Sequence, residues 1–281
     1  MNFVVENNVV VSCTEKKFSD LKIPDGVIAI ADYVFQNCPN LTSVELPESC
    51  KKIGDYAFDG CNALKAVIGF KNIEIIGECA FSNCSSLSGV TFGEKISYLS
   101  NGAFLGCKKL KKLSLPQNIN YVGCECFRDC IGLSEIEMQG VREIDNNAFE
   151  NCSDICAVKL PESIAHIGQN AFSFCTNLKS VEFGNGFVVI DEKAFENTAC
   201  LTFKYSNKKS TVYDFAVKNK FVFAQTIVNM ECRVIKAKQL SDVEKSGVFI
   251  QYKKRDNKDN KGNIIIAFDR SEKEKVISFL E

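Results

Sequence analysis

The sequence predicts an α/β repeat fold: a solenoid of about eight stacked coils with a parallel strand ladder, capped at both ends and followed by a small α+β extension. Three observations predict it. Phenylalanine recurs at 35, 58, 81, 104, 127, 149, 172 and 195, always 23 residues apart except for one interval of 22. Cysteine follows the first seven by three residues, at Cys38, Cys61, Cys84, Cys107, Cys130, Cys152 and Cys175, with Thr198 in the eighth copy. Leucine or isoleucine follows each by six residues, from Leu41 to Leu201.

The elements follow in chain order. Residues 3–11, Phe-Val-Val-Glu-Asn-Asn-Val-Val-Val, read as a β-hairpin turning at Asn7-Asn8, placed to cover the first coil. The repeating unit is I-G-x-x-A-F-x-x-C-x-x-L-x-x-V-x-L-P, clearest at Ile53–Phe58 and Ile167–Phe172. Its second half alternates, as in Leu41-Thr42-Ser43-Val44-Glu45-Leu46-Pro47, which puts Val44 and Leu46 on one face and Ser43 and Glu45 on the other. One short strand cannot bury its apolar side alone, so coils must stack, about 4.8 Å apart, into a core roughly 35–40 Å long. Phe221-Val222-Phe223 reads as a strand at the end of the array. The first unit thus spans residues 1–228.

Residues 229–281 do not match the repeat and form a second, small α+β unit in this reading. It has a strand at Cys232–Ala237, a helical turn opened by Ser241 with Glu244, and a hairpin of strands near Val248–Tyr252 and Ile264–Phe268. A last helix starts at Ser271 with Glu274 as a second capping box.

The 23-residue unit resembles the BspA-type leucine-rich repeat over about residues 22–205. The resemblance implies a right-handed solenoid with its strand ladder on one side, closed by a short helix at residues 210–217 ahead of the strand at 221–223, and acting as a non-enzymatic protein-binding scaffold. Members are known as bacterial and protozoan surface proteins that bind matrix or other cells, so adhesion to host or other cell-surface proteins is the implied activity. The chain departs from the pattern twice. The fifth coil lacks one residue between Met138 and Ile144, and the second has Gly69-Phe70 in place of Leu-Pro. Each predicts a local irregularity within the same fold.

Charge and motifs narrow the chemistry. With 34 Lys+Arg against 35 Asp+Glu the net charge is −1, so no basic excess points to nucleic acid. No stretch approaches the roughly 20 apolar residues of a membrane helix. There is no P-loop, zincin or dinucleotide fingerprint, and no cofactor or metal is expected. The C-x-C-x-x-x-C at Cys124, Cys126 and Cys130 imitates a zinc cluster. Cys126, however, holds the place of Ala57 and Ala80, Cys130 belongs to the cysteine column, and no histidine is near. Cys50 falls in a core column, leaving Cys79 and Cys156 as candidates for exposed thiols. His166, the one histidine, takes a variable position before Ile167 and reads as a surface residue. The run Lys253–Asn263 reads as a solvated hairpin tip, with Lys261 and Phe268 where calcium ligands would be needed.

The candidate binding surface consists of the outward strand positions: Ser43 and Glu45, Ala66 and Ile68, Gly89 and Thr91, Lys112 and Ser114, Glu135 and Glu137, Ala157 and Lys159, Ser180 and Glu182. Small or apolar residues occupy its middle, beside a change of sign from Lys108, Lys109, Lys111 and Lys112 to Glu135 and Glu137. An apolar patch with charged rims suits a protein partner. The start Met1-Asn2-Phe3-Val4-Val5-Glu6 has no basic then apolar leader, and 15 cysteines suit a reducing compartment; the expectation is cytoplasmic, with the cell surface as the alternative. In the cytoplasmic case the protein is an intracellular interaction scaffold whose C-terminal unit carries a separate binding activity.

Overall fold

The computed structural model describes residues 3–184, 188–198, 201–205, 212, 215, 222–225, 230–236, 252–255 and 263–269. Strand β1 (Phe3–Glu6) and strand β2 (Val9–Cys13) form the expected hairpin, with Asn7 and Asn8 left-handed at φ 48° and 63°. Asparagine tolerates that conformation, and it matches the twist of the two strands. β2 then pairs in parallel with Ala29–Ile30, so the hairpin is the first rung of the stack.

Two parallel ladders run along the coils. The long one contains Asp20–Lys22, Ser43–Glu45 and Ala66–Ile68, then Lys112–Leu115 with Glu135–Met138, then Ala157–Lys159, Ser180–Glu182, Thr202–Tyr205 and Val222–Gln225. The short one continues from β2 through Ala29–Ile30 and Lys52–Ile53 to Ile75–Ile76, and resumes from Tyr98–Leu99 to Val189–Ile190. Alternation works as the sequence implies: Val44, Leu113, Val158 and Val181 are buried, while their neighbours face outward.

Between the ladders the phenylalanines form one buried column. Neighbouring rings from Phe35 to Phe195 lie 5.2–5.5 Å apart, tilted by 15° or less. Edge-on rings close both ends, Phe3 and Phe18 against Phe35, and Phe203 against Phe195. Each column cysteine from Cys61 on donates its thiol to the carbonyl of the phenylalanine one coil back, at 3.1–3.3 Å. Thr198 bonds its own coil instead, donating to Phe195 O.

The α/β class expected from the sequence is corrected here. Among the described residues only Val212 and Phe215 are α-helical, with one 3-10 turn at Phe70–Asn72. The coil turns hold two left-handed residues four apart, as at Tyr33 and Asn37, Tyr56 and Gly60, Glu125 and Asp129, or Asn170 and Phe174. No right-handed helix runs through such a pair. The amides there bond the next coil: Phe35 N to Ala57 O, Phe58 N to Ala80 O, Phe81 N to Ala103 O, all at 2.8–2.9 Å. Val212 and Phe215 are buried; the remainder of the expected closing helix lies outside the described residues.

Both departures from the repeat produce irregularities. Gly69 is left-handed at φ 93°, and the 3-10 turn after it buries Phe70 against Phe81 and Phe92. The third coil has no strand over 89–91, so Gly89 and Thr91 are exposed but are not ladder positions. A glycine in a strand interior weakens it, and the adjoining coil has exchanged its strand end for a turn. At the same level the short ladder is unpaired between Ile75–Ile76 and Tyr98–Leu99. In the fifth coil the shortened segment is a bend at Gln139–Gly140 where coils four and six have a turn, and a Cβ on Gly140 would lie 1.8 Å from Gln117 O.

Beyond the ladders, Asn263–Asp269 pairs antiparallel with Met230–Lys236 on one side and Tyr252–Arg255 on the other. The expected strand at Cys232–Ala237 is thus present and begins earlier. Lys253, Lys254 and Arg255, expected in a hairpin tip, are strand residues. The helices expected at Ser241 and Ser271, and Val248–Gln251, lie outside the described residues.

Candidate protein-binding face

The outward positions of the long ladder are in register, two in each coil except the third. Ser43 pairs with Ala66 and Glu45 with Ile68; Lys112 pairs with Glu135 and Ser114 with Glu137; Ala157 pairs with Ser180 and Lys159 with Glu182. Gly89 and Thr91 stand between these groups in the irregular third coil. Ile68 is the most exposed apolar residue on this face at 60%. The place of a Gly89 side chain is open space, with no atom within 4 Å.

The charge pattern differs from the linear reading. Lysine and glutamate of adjacent coils pair across the ladder: Lys22–Glu45 at 3.0 Å, Lys112–Glu135 at 2.6 Å and Lys159–Glu182 at 3.4 Å. The Ser114 hydroxyl donates to Glu137 at 3.3 Å. Hydrogen bonding to Glu135 raises the Lys112 pKa, and hydroxyls from Ser43 and Ser19 lower that of Asp20. Pairs this exposed add little stability; their effect is to neutralise the junction at which the charge was expected to change sign. Lys108, Lys109 and Lys111 are exposed and have no ion pair among the described residues.

A cleft of about 670 Å³ opens beside the fifth coil, and the sequence reading missed it. It is lined by Met138, Gln139, Leu160, Pro161, Ser163, Phe183 and Gly184, with Lys159, Glu162 and Glu182 also on its wall. Lys159 and Glu182 are thus members of both the outward face and the cleft. The one available signal was the residue missing between Met138 and Ile144.

The other candidates resolve as structural residues. Cys126 and Cys130 are fully buried and Cys124 is half-buried; no three His, Cys, Asp or Glu side chains converge on a common point among the described residues. Burial pushes the Cys130 and Cys175 thiols up to about 12 and Cys50 to about 11, so they stay protonated at neutral pH. Cys156 is exposed as expected, whereas Cys79 is half-buried and its pKa is raised by burial. His166 is partly exposed, its Nδ1 3.7 Å from Glu143 Oε1.

Coils of nearly constant length, two parallel ladders, a buried ring column and an exposed strand face define a leucine-rich-repeat solenoid. The chain belongs to the BspA type leucine rich repeat family, whose model matches residues 11–122 and 98–223 with six copies. That family is one of scaffolds generally involved in protein binding and typically without enzymatic activity. A T. pallidum leucine rich repeat protein is 27% identical with TM-score 0.55, over 63% of this chain and 86% of that one. One from Bacteroides ovatus is 21% identical with TM-score 0.56, over 80% and 74%. A leucine rich cell surface protein from Faecalibacterium prausnitzii is 22% identical with TM-score 0.51, over 74% and 75%. The last two show the fold alone. No curated protein matches the chain.

Proposed function

We propose that this protein is a non-enzymatic scaffold that holds another protein against the outward face of its long ladder. The observation that carries the reading is the in-register row of outward side chains, one pair in each coil but the third, on a backbone whose inner face packs into the core. Such a row offers many weak contacts at fixed spacing, a geometry suited to an extended partner surface. Replacing Glu135 and Glu137 together by lysine is expected to reduce capture of a partner, isolated by cross-linking and mass spectrometry, by about tenfold through like-charge contacts. Unchanged capture by this double variant would remove the face from the account.

Adhesion at the cell surface is the narrower version, supported by the resemblance in fold to a leucine rich cell surface protein. Protease shaving of intact source cells is expected to remove the chain while a cytoplasmic control survives. Persistence of the chain until lysis would direct the partner search inside the cell, to an interaction scaffold whose residues 229–281 carry a separate binding activity.

A further inference from the structure

We propose that the cleft beside the shortened fifth coil receives an arginine side chain of the partner protein. The inference rests on the protein-binding reading of the ladder face, because Lys159 and Glu182 belong to both. The cleft has an apolar wall and an acidic mouth. Met138, Leu160 and Phe183 are 6%, 2% and 3% exposed and supply the apolar part. Of the charged groups on the lining, Lys159 is already paired with Glu182 at 3.4 Å. Glu162 is exposed and has no ion pair among the described residues. Its Cδ lies 3.3 Å from where a Gly184 Cβ would be, so the side chain is folded over the Gly184 backbone at the edge of the cleft. One cation against two carboxylates leaves the lining with an uncompensated negative charge.

An occupant must therefore bring a long apolar stem and a cation at its end. Arginine meets both requirements: its methylenes cover apolar surface, and its planar guanidinium offers a fork of donors that fits a carboxylate. Lysine carries the charge as a point without the fork. An aliphatic side chain would fill the wall and leave the Glu162 carboxylate unmatched, and a glutamate would be repelled.

The full chain carries its own reporter. It has three methionines, Met1, Met138 and Met230, so a 13C-methyl-methionine spectrum has one signal from the cleft, assigned with Met138→Leu. The probe is acetyl-Gly-Gly-Arg-Gly-Gly-amide, with lysine, norleucine or glutamate substituted at the centre as controls. The Met138 methyl is expected to shift saturably with the arginine peptide, with half-saturation about fivefold lower than for lysine or norleucine, and to ignore the glutamate peptide. In the Glu162→Gln, Glu182→Gln double variant the free Met138 signal should stay in place while half-saturation rises by about fivefold. No shift, or an equal shift with the glutamate peptide, overturns the proposal. The two readings separate in partner capture: loss with Glu135→Lys, Glu137→Lys but full retention with Glu162→Gln, Glu182→Gln keeps the face and removes the arginine.

Discussion

Truncating Phe104 to alanine is expected to cost about 3–5 kcal/mol of folding stability, the range for a fully buried phenylalanine. Its ring lies between Phe81 at 5.5 Å and Phe127 at 5.4 Å, with Phe92 edge-on at 5.8 Å, and no part of it reaches solvent. The position is also where the array has least redundancy. The short ladder is unpaired between coils three and four, and the long ladder has no strand in coil three. That junction is held by turn amides, Cys79 N to Asn101 O and Phe81 N to Ala103 O, by the Cys107 thiol on Phe81 O, and by the rings. Each coil contacts mainly its neighbours, so weakening one junction uncouples the two sides. Urea unfolding followed by circular dichroism should show an earlier midpoint for Phe104→Ala and a split into two transitions. A single transition with less than about 1 kcal/mol lost would show that the ring column is dispensable there.

Gly140→Ala is expected to cost about 1–3 kcal/mol. The added Cβ would fall 1.8 Å from Gln117 O and 2.5 Å from Gln117 C. Both are backbone, so no side-chain rotation relieves the clash and the shortened turn must lift from coil four. Gln139, the residue before Gly140, lines the cleft. Thermal unfolding should report the loss of stability, and the Met138 methyl should lose its response to the arginine peptide. An alanine variant with wild-type stability would mean that the turn is not held against coil four as described.

The long-period features were legible in the sequence because stacking repeats them. A phenylalanine, a thiol and a leucine at fixed offsets must each meet their own kind in the next coil, so the core can be read as columns. Even the departures were visible, since Gly69-Phe70 and the residue missing after Met138 break a known pattern. What failed was the local conformation of the turns. Tyr33, Tyr56, Cys79, Glu125 and Phe174 occupy left-handed positions that glycine or asparagine fill in other coils, so residue type gave no warning that a helix was barred. Inter-coil bonding, which is non-local, decides the matter instead. The outward positions are ladder residues in every coil but the third, where Gly89 and Thr91 form no strand, and their charge was misread. Lys112 and Glu135 look like opposite blocks along the chain and are one ion pair in space. The cleft was invisible because its lining comes from three coils, around Met138, Leu160 and Phe183, that only the fold brings together.

The near-constant ring spacing has a consequence for ancestry. Both ends of the phenylalanine column are closed by rings turned edge-on, and every interior ring meets its neighbours in nearly the same way. A tandem duplication or deletion of 23 residues would therefore present the terminal rings with the same junction they meet now. Such an event would lengthen or shorten the array by about 4.8 Å per coil without requiring new caps, so lineages of this protein can adjust its reach by unequal recombination in whole coils, while a one-residue indel leaves a local scar like the one after Met138.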